Sequence, residues 1–280
     1  MKKVAIQGLA GSFHDIASRL FFANEEIDII PCMTFKEVFK KVENDASVIA
    51  AVAIENTIAG SLLKNHELIK DSGLKIVGEH KLRIKHCICA LPGQTLADIC
   101  EVQSHPIALM QCDDFLDRHN HIKVVEADDT AGSAAYIAEN KLTGVAAICS
   151  TYAANLYGLT ILKENIETNK RNFTRFLILA NDKYVDDLTR GKIINKSSLV
   201  FSVNHSPGAL SKVLTIFSFY DISMTKIQSL PIIGKEWEYQ FYVDLCFTNY
   251  ERYRQSLDAI IPLTNYFKML GEYLEGEQTV

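Results

Sequence analysis

The stretch Val48-Ile-Ala-Ala-Val-Ala-Ile54, followed at once by Glu55-Asn56-Thr57 and then Gly60-Ser61, decides the fold class. It is an apolar run of strand length, ended by the small and polar residues that close a strand and start a helix. The construction recurs through the first part of the chain. Strand-like segments at Val4–Gln7, Ile27–Pro31, Leu74–Val77, His86–Leu91, Ile122–Glu126, Gly144–Cys149 and Phe176–Ala180 alternate with helical stretches. Among the latter are Ser12–Phe22, Phe35–Asn44, Ile107–His119 and Thr130–Asn140, with Thr34 and Glu37 spaced as a capping box. This alternation is the βαβ signature of a parallel or mixed sheet, so the fold class is α/β.

Around Asn181–Lys196 the pattern lapses into polar and charged residues, which marks a domain boundary. Beyond it the chain reads strand (Ser198–Asn204), helix (Gly208–Tyr220), strand (Ile222–Gln228), strand (Glu238–Phe247), helix (Glu251–Leu263) and strand (Phe267–Leu274). That βαββαβ order is ferredoxin-like, an arrangement that several unrelated functions share.

With 280 residues, 48% apolar and 22% charged, the composition is that of a globular protein large enough for two domains. Lys plus Arg number 29 against 34 Asp plus Glu, a net charge of −5, which recommends neither nucleic acid nor an anionic membrane as partner. Seven cysteines, an odd number with no Cys-x-x-Cys, read as reduced thiols. Met1-Lys2-Lys3 followed by Val4-Ala5-Ile6 reads as a first strand rather than a signal peptide, and no apolar stretch reaches the ~18 residues of a spanning helix. A cytoplasmic location is therefore expected. Cys87-x-Cys89 and His119-x-His121 lack usual zinc spacings and there is no His-Glu-x-x-His, so no metal is expected. Gly8-x-x-Gly11 is neither a dinucleotide fingerprint nor a Walker loop, and Gly-x-Ser-x-Gly does not occur.

The chemistry concentrates at polar strand-to-helix junctions: Gly11-Ser12, Glu55-Asn56-Thr57 with Gly60-Ser61, Ser104-His105-Pro106, and Asp129-Thr130-Ala131. In an open α/β sheet the carboxyl ends of strands border the ligand crevice, and helix N-termini offer free N–H groups and partial positive charge. Several together suit a small dianion such as a dicarboxylate, although each taken singly is also an ordinary N-cap. A further concentration, Asn172-Phe173-Thr174-Arg175-Phe176, combines an amide, a hydroxyl donor and a fixed cationic fork just before an apolar strand. By composition alone it reads as an ordinary strand entry.

These blocks, in this order and spacing, resemble the monofunctional prephenate dehydratases over nearly the whole chain. The matching motifs are Gly8-Leu-Ala-Gly11-Ser12-Phe13, Ile54-Glu55-Asn56-Thr57 with Gly60-Ser61, Ser104-His105-Pro106 with Gln111-Cys112, Asp129-Thr130-Ala131, and Asn172–Phe176. The C-terminal part resembles the family's ACT regulatory domain, with His205-Ser206-Pro207-Gly208-Ala209-Leu210 at its ligand motif.

The resemblance implies loss of carbon dioxide and water from prephenate to give phenylpyruvate, without a cofactor. It also implies a two-lobed catalytic domain like the type II periplasmic binding proteins over 1–181 (lobes about 1–78 plus 160–181, and 79–159). An ACT domain over 197–275, phenylalanine as effector, and a homodimer or homotetramer follow on the same basis. Thr174 matches the catalytic threonine that would donate to the departing hydroxyl, with Glu55, Asn56, Ser104 and Gln111 beside it. Ser12, Thr57, Thr130, Ala131, Asn172, Phe173, Arg175 and Phe176 would hold substrate. Pro207, Gly208, Ala209, Leu210, Gln228 and Ser229 would hold effector. The chain departs from the family pattern at Ile107, where glutamine is usual, at Thr168, where aspartate is usual, and at Gln228-Ser229-Leu230-Pro231, which replaces Glu-Ser-Arg-Pro. Arogenate dehydration and a catalytically silent amino-acid sensor are the alternatives, with a two-lobed binding protein as a third class.

Overall fold

The computed structural model describes residues 1–23 and 25–279. The chain opens with β1 (Lys2–Gln7), α1 (Phe13–Phe21), β2 (Ile27–Cys32), α2 (Phe35–Asn44), β3 (Ile49–Asn56), β4 (Gly60–Ser61), α3 (Leu63–Ser72) and β5 (Lys75–Arg83). There follow β6 (Cys87–Ala90), β7 (Glu101–Ser104), α4 (Pro106–Gln111), α5 (Asp113–Asp117), β8 (Lys123–Glu126), α6 (Thr130–Asn140), β9 (Val145–Cys149), α7 (Thr151–Leu156) and β10 (Thr160–Lys163). The rest comprises β11 (Phe173–Ala180), α8 (Val185–Thr189), β12 (Lys196–Ser202), α9 (Ala209–Phe219), β13 (Ser223–Pro231), β14 (Tyr239–Cys246), α10 (Tyr250–Ile260), β15 (Tyr266–Tyr273) and β16 (Gln278–Thr279).

Among the described residues the strands form three sheets. The first runs β16-β5-β11-β3-β1-β2, with β4 folded back on β3; β1 lies parallel to both β2 and β3. The second runs β10-β6-β9-β7-β8, parallel across β9-β7-β8 and antiparallel from β9 through β6 to β10. The third runs β13-β14-β12-β15 and is antiparallel throughout, the ferredoxin-like order expected of βαββαβ. Every residue of β3 from Ile49 to Ile54 is buried, as a strand in the interior of a covered sheet must be.

By density of contacts the chain forms two compact units. One comprises Met1–Leu62, His80–Phe176 and the strand Gln278–Thr279; the other comprises Leu63–Glu79 and Leu177–Glu277. The first unit holds the second sheet whole and most strands of the first, whose β5 and β11 run on into the second unit. In the second, α3 packs against β15. Gly271 of β15 lies so close to Ile76 that a Cβ there would run into the Ile76 backbone, so only glycine admits this approach. The second unit has its own apolar core, in which Phe247 and Tyr253 stack with centroids 4.0 Å apart.

Three local expectations need correction. The helix expected over Ile107–His119 is two short helices, α4 and α5, parted at Cys112. The Gln111 carbonyl accepts from Thr168 N (2.8 Å) in place of a helical donor, and the Thr168 hydroxyl accepts from Asp114 N (3.2 Å), so Thr168 stabilises the break. The Asn172–Phe176 block does not precede its strand: β11 begins at Phe173, so Thr174 and Arg175 are strand residues. Strands β7 and β10 were not expected. Each spans only four residues, and β7 carries the polar pattern Glu-Val-Gln-Ser.

Candidate active site

The first unit encloses a cavity of about 330 Å³, built where the strands of its two sheets end. Strand β11 enters it between the ends of β3 and β5. Thr57 N donates to Phe173 O (2.9 Å), Phe173 N donates to the Thr57 hydroxyl (2.9 Å), and Ile84 N donates to Asn172 O (2.8 Å). Strand alternation then turns Thr174 and Phe176 into the cavity and Arg175 away from it. Arg175, only 7% exposed, donates to Glu55 Oε1 at 3.0 Å on that other face.

Asn56 organises the cavity floor. Its Oδ1 accepts from Ile58 N and Ala59 N (2.9 and 2.8 Å), fixing the turn after β3. With the oxygen so engaged, the amide nitrogen is committed to donating, and it reaches Thr174 Oγ1 (2.9 Å), Asn172 Oδ1 (2.8 Å) and Phe173 O (3.1 Å). The Thr174 oxygen is thereby an acceptor, which leaves its own proton free to point into the cavity.

Apolar side chains and three helix starts make up most of the remaining wall. Ser12 caps α1, accepting from Asp15 N (3.4 Å); His105 caps α4 through Nδ1, accepting from Ile107 N (3.2 Å); Asp129 caps α6, accepting from Gly132 N (3.0 Å). Asp129 Oδ2 also accepts from Leu9 N of the other lobe (3.0 Å). Two further bonds join the lobes there: the Ser150 hydroxyl donates to Gly11 O (2.9 Å) and the Tyr157 hydroxyl to Ala10 O (2.8 Å). Gly8 and Gly11 adopt φ of 98° and 90°, and a Cβ on Gly11 would lie 3.0 Å from Ala153 Cα. Glycine is what lets this loop pass under the second lobe.

Two histidines, the half-buried His14 and the buried His86, line the cavity, and the sequence reading passed over both. Ala53 N donates to His14 Nε2 (3.3 Å), and the ring lies edge-on to Phe176 with centroids 4.9 Å apart. Burial lowers its pKa from the ordinary 6.5 to about 4. His86 Nε2 faces Gln111 Oε1 at 2.9 Å, and burial lowers its pKa too, against the opposing effects of the Gln111 bond and the Glu167 charge. Both rings are thus neutral at pH 7. The folded pKa of His14 lies below its unfolded value, so the stability it contributes is complete above pH 6.5 and is lost as pH falls toward 4. His14→Phe should flatten urea-unfolding stability across that window by on the order of 3 kcal/mol relative to the parent. An unchanged pH slope would show that His14 does not titrate in this way.

Of the residues singled out from the sequence, Ser12, Asn56, Gln111, Thr130, Thr174 and Phe176 line the cavity. Glu55, Thr57, Asn172, Phe173 and Arg175 stand behind that wall, in the bonds described above. Ser104 is fully buried and donates to Ile148 O (2.6 Å), tying β7 to its neighbour where α4 starts. Ala131 packs in the apolar core under α6. Besides the two histidines, Phe13, His105, Ile107 and Asp128 also face the cavity. The signal for His14 was its place two residues after the Ser12 cap, on the first turn of α1.

A second cavity, of about 420 Å³, lies in the second unit at the start of α9, lined by Pro207, Ala209, Leu210, His205, Glu238 and Phe241 among others. Gly208, with φ of 76°, is the α9 N-cap. Gln228 and Ser229 lie on β13 and do not line this cavity, while Leu230, at the position where the family has arginine, is buried.

Fold and cavity together define a two-lobed α/β protein with a small-molecule cavity lined by apolar side chains, hydroxyl and amide groups and two aspartates, and a ferredoxin-like sheet in the same chain. The family model for prephenate dehydratase matches residues 4–184, and the chain belongs to that family of hydro-lyases. It is 37% identical over 287 residues to arogenate dehydratase 1 of Petunia hybrida, covering 97% of this chain and 66% of that one. The chain therefore spans about two thirds of the length of this curated relative. Among solved structures, it superposes on prephenate dehydratase in complex with L-Phe from Arthrobacter aurescens with a TM-score of 0.86 and 25% identity, covering 99% of this chain and 92% of that one. It also matches GqqA, described as a novel type of quorum-quenching acylase, with a TM-score of 0.84 and 31% identity, covering 98% of each chain.

Proposed function

We propose that the protein converts prephenate to phenylpyruvate, carbon dioxide and water. The observation that carries this reading is the Asn56 amide donating to Thr174 Oγ1, which aims the hydroxyl proton into the cavity. In the reaction the electron pair of the breaking C–CO2 bond moves into the ring, the ring C–O bond breaks, and the hydroxyl leaves as water once it has gained a proton. A hydrogen bond from Thr174 to that oxygen strengthens as negative charge develops on it. Threonine is too weak an acid to ionise, so it stabilises or relays the proton rather than supplying it.

Among the described residues no lysine or arginine lines the cavity. The two substrate carboxylates would rest instead on neutral donors and the helix starts at Ser12, His105 and Thr130. A carboxylate not locked in an ion pair gives up its charge as CO2 at less electrostatic cost.

A second substrate is favoured by one observation: Asp128 and Asp129 line the same cavity, and a carboxylate there suits the ammonium that arogenate carries in place of the keto group of prephenate. The domain division 1–181 and 197–275, a homodimer or homotetramer, a cytoplasmic location, and phenylalanine as effector in the α9 cavity complete the proposal. The L-Phe complex of the Arthrobacter relative supports that effector. Among the described residues no helix is long and apolar enough to cross a membrane.

The experiment is product formation from prephenate and from arogenate by the purified chain without cofactor, each with and without phenylalanine. Turnover of prephenate, suppressed by phenylalanine, is the expected result. A higher kcat/KM for arogenate would reassign the substrate, and turnover indifferent to phenylalanine would remove the effector. No turnover of either by folded protein would leave the silent sensor.

A further inference from the structure

We infer that Cys87, Cys89 and Cys149 form a three-thiolate site for a soft monovalent metal ion, Cu(I) by its chemistry. Spacing alone discounted Cys87-x-Cys89; the fold supplies the third sulfur. Cys87 and Cys89 alternate onto one face of β6, and Cys149 of β9 pairs directly opposite Cys87. The three sulfurs lie within 4.8 Å of one another, and Cys89 Sγ and Cys149 Sγ are 3.4 Å apart. Three sulfurs at the usual metal–thiolate length of ~2.3 Å from one ion would lie ~4 Å apart.

The surroundings suit a soft ion. All three cysteines are fully buried in an apolar core, where α6 and β9 present Ala131, Ala134 and Ala147 toward them. Those methyl side chains leave the sulfurs as the reactive atoms of this core. Among the described residues no histidine, carboxylate or fourth cysteine completes the group, so a tetrahedral zinc site lacks a ligand, whereas Cu(I) accepts three thiolates. None of the three lines the candidate active-site cavity, so this inference is independent of the reaction proposed above.

Binding exchanges thiol protons for the ion and releases them to solvent, so affinity should fall as pH falls. Because the sulfurs are buried, loading should be slow in the folded chain and fast when the chain refolds in the presence of the ion.

The test is an anaerobic titration of the reduced full chain with Cu(I) against a chromogenic Cu(I) chelator, followed by copper X-ray absorption. One equivalent bound through three sulfurs, with a raised unfolding temperature, is expected. Cys89→Ala and Cys149→Ala should each weaken binding by at least ~100-fold, beyond the ~10–100-fold typical of losing an outer-shell partner. Cys100→Ser, at the exposed cysteine, should bind like the parent. If Cys89→Ala fails to fold, the stoichiometry and sulfur count of the parent still decide. No retained copper, two-sulfur coordination, or binding lost in Cys100→Ser would overturn the site, as would Zn(II) held more tightly than Cu(I).

Discussion

Thr174→Ala is expected to lower kcat for the dehydratase reaction by ~10²-fold or more, the usual consequence of removing a donor that acts on the transition state. KM should change far less, because the hydroxyl bears on the departing oxygen rather than on the carboxylates. The fold should survive, since Thr174 is partly exposed at the cavity and its removal costs Asn56 one of three acceptors. Thr174→Ser retains the hydroxyl and should keep most of the activity. Near-parental turnover in folded Thr174→Ala would remove the threonine from the mechanism. Equal losses in Thr174→Ser and Thr174→Ala would point to packing by the methyl group.

The largest expected effect on stability lies in the second unit. Lys196, 2% exposed, donates to Glu79 Oε1 at 2.8 Å and lies 3.6 Å from Glu275, while Gly276 N donates to the same Glu79 oxygen (3.1 Å). Lys196→Ala removes the ammonium from beside a buried carboxylate, which should destabilise the protein by ~3–5 kcal/mol. The double variant Lys196→Met/Glu79→Gln should lose less than the two single changes added together, because neither residue then carries an uncompensated charge. Urea unfolding followed by circular dichroism measures both. A loss below ~1 kcal/mol for Lys196→Ala would place this pair with the weak surface bridges.

The α/β character and the ferredoxin-like order were legible because they rest on local signals. Strand β3 is an apolar run, α6 occupies the expected Thr130–Asn140, and the spacing of Thr34 and Glu37 marks the α2 cap. What escaped depends on contacts between distant segments. Cys112 sits in an amphipathic stretch, and the break there is held by Thr168, 57 positions on from Gln111, which donates to the Gln111 carbonyl and accepts from Asp114 N. Candidate site residues were found where they end strands or cap helices. The inward turn of Thr174 against the outward turn of Arg175 required knowing that β11 begins at Phe173. His14 and His86 are ordinary letters in the sequence; the fold makes them neutral cavity walls by withdrawing them from water, His86 fully and His14 in part. The cysteine triad depends on pairing β6 with β9, a register that no local pattern specifies.

The bonds from Leu9, Ala10 and Gly11 to Asp129, Tyr157 and Ser150 bear on how ligand affinity is spent. Two lobes that meet only through their ligand charge that ligand for the freedom lost on closure, and the measured affinity is reduced by the scarcity of the closed form. Here three bonds within the chain join the lobes at this seam, and each would have to break for the lobes to part there. On the reaction proposed above, the contacts of the substrate need not also hold the lobes together at this seam, and they remain available for the bond changes.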